Sequence, residues 1–289
     1  MIKKLLDFIA IPLAYLWKQV DRTHAIRREH FEIVQNMKQT LPDNPALKGF
    51  KVYSQFDEDG IIQEILDRIS SISKPNLRAI EIGCGRGLEN NTHFLLLKGY
   101  SCIWVDGAPD NCKYIRDELG AGADSSRLQV LQLFVDKDNI VTFVESAVER
   151  MGLIDPDFFS LDIDGNDLEV LKNAMKRLKP KVICVEYNPK FPPPVSLSIE
   201  YNPAHVFNGT DYHGASLQAF VNALPTYRLV SCSISGANAF FVRNDLATVF
   251  ATYPITELYQ PCRYDMAYLR SGHLPTLRWL RNEINKNIN

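Results

Sequence analysis

Nowhere in its 289 residues does the chain carry a block of one charge: 32 Lys and Arg stand against 34 Asp and Glu, a formal net charge of −2. Without a basic stripe it lacks the electrostatic footprint of a DNA- or RNA-binding protein, and no nucleic acid is expected among its partners. It also lacks any C-x-x-C pair. Of its six cysteines, those at 84, 102, 184 and 232 fall in or beside apolar runs, where a free thiol acts as a small hydrophobe. A reducing compartment, the cytoplasm, is the expectation. No apolar run reaches bilayer length. The stretch 5–17, behind Lys3 and Lys4, is interrupted by Asp7 and Pro12 and no clear cleavage site follows it, so neither a spanning helix nor a signal peptide fits. Two readings of it stay open. It packs on the domain or mediates self-association, or it lies peripherally at the inner face of a membrane with Lys3, Lys4, Trp17 and Lys18 at the headgroups.

What is present suffices for a sizeable core: 46% of the residues are hydrophobic and 23% charged, ordinary for a globular chain. Residues 1–45 read as an N-terminal helical arm and linker. The periodic stretch is about Pro12 to Gln39, and Leu41-Pro42-Asp43-Asn44-Pro45 ends it. Residues 46–245 read as one α/β domain and 246–289 as a C-terminal helical extension. Within the domain a helix over about Asp57–Ile72 precedes seven strand candidates, Arg78–Gly83, Cys102–Asp106, Leu128–Phe134, Phe158–Asp164, Val182–Tyr187, Tyr227–Cys232 and Ala239–Arg243. Helical patterns separate the first five, which predicts a doubly wound, mostly parallel sheet. The last two are joined by Ser233-Ile234-Ser235-Gly236, too short for a parallel crossover. They are expected to pair as an antiparallel hairpin.

The residues Glu81-Ile82-Gly83-Cys84-Gly85-Arg86-Gly87 carry most of the functional information. They read as a buried strand, a glycine turn and a helix start, and Asp106-Gly107 closes the next strand about twenty residues later. This is how an α/β sheet holds an adenosine-containing cofactor. The spacing is G-x-G-x-G, however, and not the G-x-G-x-x-G of a dinucleotide site. A carboxylate facing the turn from Glu81 would repel a pyrophosphate and suit an ammonium or sulfonium. S-adenosylmethionine carries both cations and no phosphate.

With these residues and the hairpin in place, the sequence resembles a class I S-adenosylmethionine-dependent methyltransferase, closest to the FkbM-like group. The resemblance runs from about Tyr53 to Arg243. It rests on Ser54-Gln55-Phe56-Asp57-Glu58-Asp59-Gly60, the Glu81–Gly87 turn, Asp162-Ile163-Asp164-Gly165-Asn166-Asp167 and Val185-Glu186-Tyr187-Asn188. The third of these departs from the Asp-Val-Glu-Gly pattern typical of FkbM-type members. The resemblance implies O-methylation of a hydroxyl on a carbohydrate, glycan or related small molecule, as in polysaccharide modification. It also implies that the segment holding Gln55 and Asp59 closes over the cofactor; helix capping is the competing reading of those residues.

Among single residues, Asp106 is placed to accept the ribose hydroxyls, Asp136 to meet the adenine edge, and Glu81, Gly83, Gly85, Gly87, Gly107 and Asp162 to surround the cofactor. Methyl transfer to a hydroxyl requires its proton to be removed or its pKa lowered. Two routes fit. Asp164 or Glu186 acts as general base, or Asp162, Asp164, Glu186 and Asn188 hold Mg²⁺ through oxygen ligands. An insertion from Asn188 to Gly214, rich in proline and aromatics, is expected to drape over the acceptor pocket. It brings His213, and after it His205, as alternative bases. Two other functions remain open: a non-catalytic S-adenosylmethionine-binding or assembly subunit, and a nicotinamide-dependent oxidoreductase.

Overall fold

The apolar runs form one sheet. In the computed structural model, which describes residues 2–152, 154–268 and 273–285 (side chains from Val20 onward, apart from 267 and 268), β1 is Arg78–Ile82, β2 Ser101–Asp106, β3 Leu128–Gln132 and β4 Phe158–Leu161. β5 is Val182–Glu186, β6 Tyr227–Cys232 and β7 Asn238–Arg243. The strand order is β3-β2-β1-β4-β5-β7-β6. The first five are parallel and β7 runs antiparallel to both β5 and β6. The sheet is thus the doubly wound, seven-stranded, mostly parallel one expected, closed by its hairpin.

Helices cover both faces because the strands are apolar on both. On one face lie α1 (Ile2–Thr40), α2 (Glu58–Ser70), α3 (His93–Leu97) and α4 (Pro109–Leu119). Their Ile61, Ile65, Leu96 and Ile115 pack on Ala79, Cys102 and Trp104 of the strands. On the other lie α5 (Asn139–Met151), α6 (Asp167–Ala174) and α7 (Leu217–Ala223), whose Val144, Leu171 and Phe220 pack on Ile80, Ile103 and Phe159. Each such fully buried side chain stabilises the fold by roughly 1.5–3 kcal/mol. The C-terminal segment adds only short helices, α8 (Ile255–Leu258) and α9 (Arg278–Asn285).

The arm is longer than its periodicity indicates. α1 begins at Ile2 and runs through Pro12, so the proline does not mark its start. Arg22 and Glu29 bind Asp265 and Arg263 of the C-terminal segment, and Ile26 and Met37 are buried. The apolar stripe at Leu13, Leu16 and Trp17, with Lys3, Lys4 and Lys18, has its side chains outside the described residues. Among the described residues, no helix is long and apolar enough to cross a membrane.

Candidate active site

A parallel sheet whose chain runs outward in both directions from β1 leaves a crevice above the carboxyl ends of its central strands. There the turn after β1 meets the turn after β4. A Cβ on Gly83 would stand 1.6 Å from the Asp162 carbonyl oxygen, and the residue has φ +87°, so only glycine lets the two strand ends close. Gly85, at φ +56°, has nothing within 4 Å of its missing side chain. Its bare backbone faces a cavity of about 360 Å³, within the range of small-molecule sites. Gly83, Gly85, Asp106, Gly107 and Asp162 all line it. Gly87 does not; it stands against the Trp104 ring.

Asp106 links the turn to β2. One carboxylate oxygen accepts from Gly85 N at 2.8 Å, the other from Ala108 N at 2.9 Å and Asn111 Nδ2 at 3.0 Å. Three carboxylates, of Asp106, Asp162 and Asp164, border the cavity, and among the described residues no Lys or Arg does. Nor does a helix start under the turn: α3 begins only at His93, which corrects the expectation of a helix start directly after the glycines. The backbone donors that a pyrophosphate would use at a helix N-terminus are therefore not assembled here.

Glu81 behaves differently from the sequence expectation. It is 3% exposed and lines neither cavity. Its carboxylate accepts from Asn90 Nδ2 at 3.0 Å, Asn91 N at 2.7 Å, Thr92 N at 2.9 Å and the Thr92 hydroxyl. Alternation along β1 explains this: Ile80 and Ile82 pack on the α5–α6 side, so Glu81 points to the other. It shapes the loop between the turn and α3 instead of facing a ligand. Burial pushes its pKa up to about 7, against the pull of those donors.

Asp136 and Asp59 are also turned to backbone. Asp136 accepts from Asp138 N and Asn139 N at the start of α5, and its neighbours Phe134 and Val135, not it, line the cavity. Asp59 Oδ2 gathers the N–H groups of Val52, Tyr53 and Ser54 at 2.6–2.8 Å. That folds the segment carrying Tyr53 and Gln55, both of which border a second space. Tyr53 is stacked on buried His93 with ring centroids 3.5 Å apart. Gln55, expected at the cofactor, is thus at this neighbouring cavity.

The second cavity, about 780 Å³, brings together the three candidate bases, Asp164, Glu186 and His213. Among the described residues, Asp164 is the one that lines both cavities. It is also one of two non-glycine residues with positive φ among those described, at +56°, a conformation that aspartate tolerates at a cost and that clusters at functional sites. Asp167 holds the turn in that shape: its oxygens accept from Ile163 N at 2.9 Å and Gly165 N at 2.8 Å. Oxygens of Asp162, Asp164 and Glu186 lie within 4.8 Å of one another. Asp162 and Glu186 are part-buried and hydrogen-bond each other. Burial, reinforced by repulsion from the neighbouring acids, pushes Asp162 up to about 8 and Glu186 well above the carboxylate range. The pair therefore holds its protons more tightly than free carboxyls do. His213 Nδ1 is buried without a partner, and burial lowers the pKa of the ring.

Asn188 does not join this cluster as a metal ligand. Its amide donates to the carbonyls of Asp211 and His213 and accepts from Lys190 N, so it anchors the insertion. The insertion crosses both cavities. Asn202 exchanges hydrogen bonds with Asn166 at 2.7 and 3.2 Å, and Tyr201 lies under Lys137 Nζ at 4.3 Å. His205 lines the first cavity, and Phe207 and His213 the second.

Several lining residues carry no sequence signal. Phe134 and Asn111 look like ordinary strand-end and helix residues. Tyr264, Leu274 and Trp279 reach the second cavity from the C-terminal segment, about a hundred residues from Asp164, and no local pattern announces it.

No family profile and no curated protein sequence matches the chain. Its fold is similar to those of solved methyltransferases. The precorrin-6y C5,15-methyltransferase of Geobacter metallireducens GS-15 is 18% identical over 48% of this chain and 66% of its own, with TM-score 0.31. Monomeric WbdD is 16% identical over 70% and 43%, TM-score 0.37. The magnesium protoporphyrin IX methyltransferase ChlM of Synechocystis PCC 6803, solved with bound SAM, is 9% identical over 74% and 96%, TM-score 0.40. Overlaps this shallow carry no activity, and the functional reading rests on the cavities.

Proposed function

We propose that the protein is an S-adenosylmethionine-dependent O-methyltransferase acting on a hydroxyl of a carbohydrate, glycan or related small molecule. One observation carries the cofactor: the cavity over Gly83 and Gly85 is bordered by Asp106, Asp162 and Asp164 and, among the described residues, by no Lys or Arg. Such a lining suits a ligand bearing an ammonium, a sulfonium and a ribose and disfavours a pyrophosphate, which argues against a nicotinamide cofactor.

When bound, S-adenosylmethionine supplies a methyl group on a positively charged sulfur. The chain's own residues supply the rest. Asp106 sits at the β2 end, where a carboxylate accepts ribose hydroxyls. Asp164, shared by the two cavities, orients the acceptor hydroxyl toward the methyl carbon. Glu186, once ionised, would hold the proton that this hydroxyl gives up on transfer. The neutral His213 is the alternative acceptor of that proton. Phe207 and His213 of the insertion, with Tyr53 and Gln55, line the second cavity, and aromatic faces beside hydrogen-bonding groups support a polyhydroxylated acceptor.

The carboxylate cluster favours a second reading of the same step. Asp162, Asp164 and Glu186 offer hard oxygen donors close enough to hold Mg²⁺, which would lower the acceptor pKa. Calorimetry with S-adenosylmethionine and NAD(H), followed by transfer of labelled methyl to candidate glycans with and without EDTA, tests the whole reading. Tighter NAD(H) binding overturns the cofactor; intact cofactor binding with no transfer to any sugar overturns the acceptor class. Loss of transfer with EDTA, restored by Mg²⁺, selects the metal route.

A further inference from the structure

Exposed apolar side chains gather at the mouth of the second cavity. Leu274 is 76% exposed and Trp279 66%, and both line it beside Val52 and Phe207. Folding does not explain the first two. The segment around α9 already buries Leu277, Leu280 and Ile284 against the α3–α4 side, so its inward face is complete without Trp279. Side chains of this kind, on a wall continuous with a reactive cavity, mark where an apolar ligand surface rests. Asp164, Glu186 and His213 line the same space. One cavity thus combines an acidic, hydrogen-bonding part with exposed apolar side chains.

We infer that the methyl acceptor is amphipathic: an uncharged hydroxylated head at Asp164 and Glu186 and an aliphatic chain laid along Leu274 and Trp279. This rests on the acceptor reading above. An anionic head is disfavoured by the two carboxylates, and Lys51, the lysine on this cavity, is already paired with Glu89 at 3.3 Å. Each methylene removed from water raises affinity by about fourfold when fully buried, so even a half-covered chain separates a lipid-like acceptor from a free sugar.

The test compares methyl and octyl glucoside, below micelle concentrations, titrated calorimetrically into the protein saturated with S-adenosylhomocysteine. The octyl compound should bind at least tenfold tighter, and Leu274→Ser/Trp279→Ser should abolish the difference while the thermal transition stays unchanged. Equal affinities in the wild type, or a preference that survives the double substitution, overturn the inference. So does sedimentation showing a wild-type dimer that the double substitution makes monomeric, since the apolar wall is then an interface between copies. Failure of S-adenosylhomocysteine to bind strikes the cofactor reading instead, and the glucoside comparison then stands on the unliganded protein.

Discussion

Apart from Asp106, which both gathers backbone N–H groups and lines the first cavity, the acids around the crevice fall into two groups, and the difference lies in what each is given to hold. Glu81, Asp59, Asp136 and Asp167 each accept from two or more donors in their own loops. Asp162, Asp164 and Glu186 face one another around open space. The first group converts charge into loop shape, because a carboxylate that gathers backbone N–H groups fixes several residues at once. The second keeps charge or tightly held protons where a ligand arrives. Proximity to the glycine turn in sequence does not decide which group an acid joins; the face of the strand does.

The sharpest way to break that division is Glu186→Gln. Transfer should fall about 10²- to 10⁴-fold while calorimetric S-adenosylhomocysteine affinity stays within about twofold; a variant of undiminished rate removes Glu186 from the chemistry. The pH profile should be the next largest effect. A base must be ionised, so below the raised pKa of the Asp162–Glu186 pair the single-turnover rate should drop about tenfold per pH unit. Stability should move oppositely. The folded state holds the pair's proton more tightly than the unfolded chain does, so the pair's stabilisation is complete below the unfolded pKa, near 4, and is lost as pH rises toward about 8. Parallel slopes of rate and melting temperature over pH 5–8 contradict the assignment.

Acids of the first group should fail in stability. Glu81→Gln places an amide N–H₂ against donors of the Asn90–Thr92 loop and should cost about 1.5–3 kcal/mol in denaturant unfolding. A variant as stable as the wild type shows that loop to be held by other contacts. The smallest effect is expected at Asp136→Ala, about 0.5–2 kcal/mol from loss of hydrogen bonds at the start of α5, with cofactor affinity unchanged. A tenfold loss of affinity there would return Asp136 to the cofactor site.

These contrasts also mark how far sequence reaches. The mostly parallel sheet and its closing hairpin followed from local facts: apolar runs with helices between them, and a four-residue link after Cys232 that leaves no room for a crossover. The meeting of Asp164, Glu186 and His213 was legible for a similar reason, since strand carboxyl ends and the insertion after β5 share one side of such a sheet. Glu81 was misread because proximity along the chain was taken for proximity in space. One step of strand alternation turns its side chain away from the turn. Leu274 and Trp279 were invisible because their placement depends on the long return of the C-terminal segment, which no periodicity encodes.

That Asp164 is, among the described residues, the single lining residue common to both cavities bears on kinetics. On the proposed reading donor and acceptor enter by separate cavities that meet at Asp164, so neither must depart before the other enters. Initial-rate plots should give intersecting lines, with no stable methylated protein along the way, and a chiral methyl group should cross in one displacement with its handedness inverted.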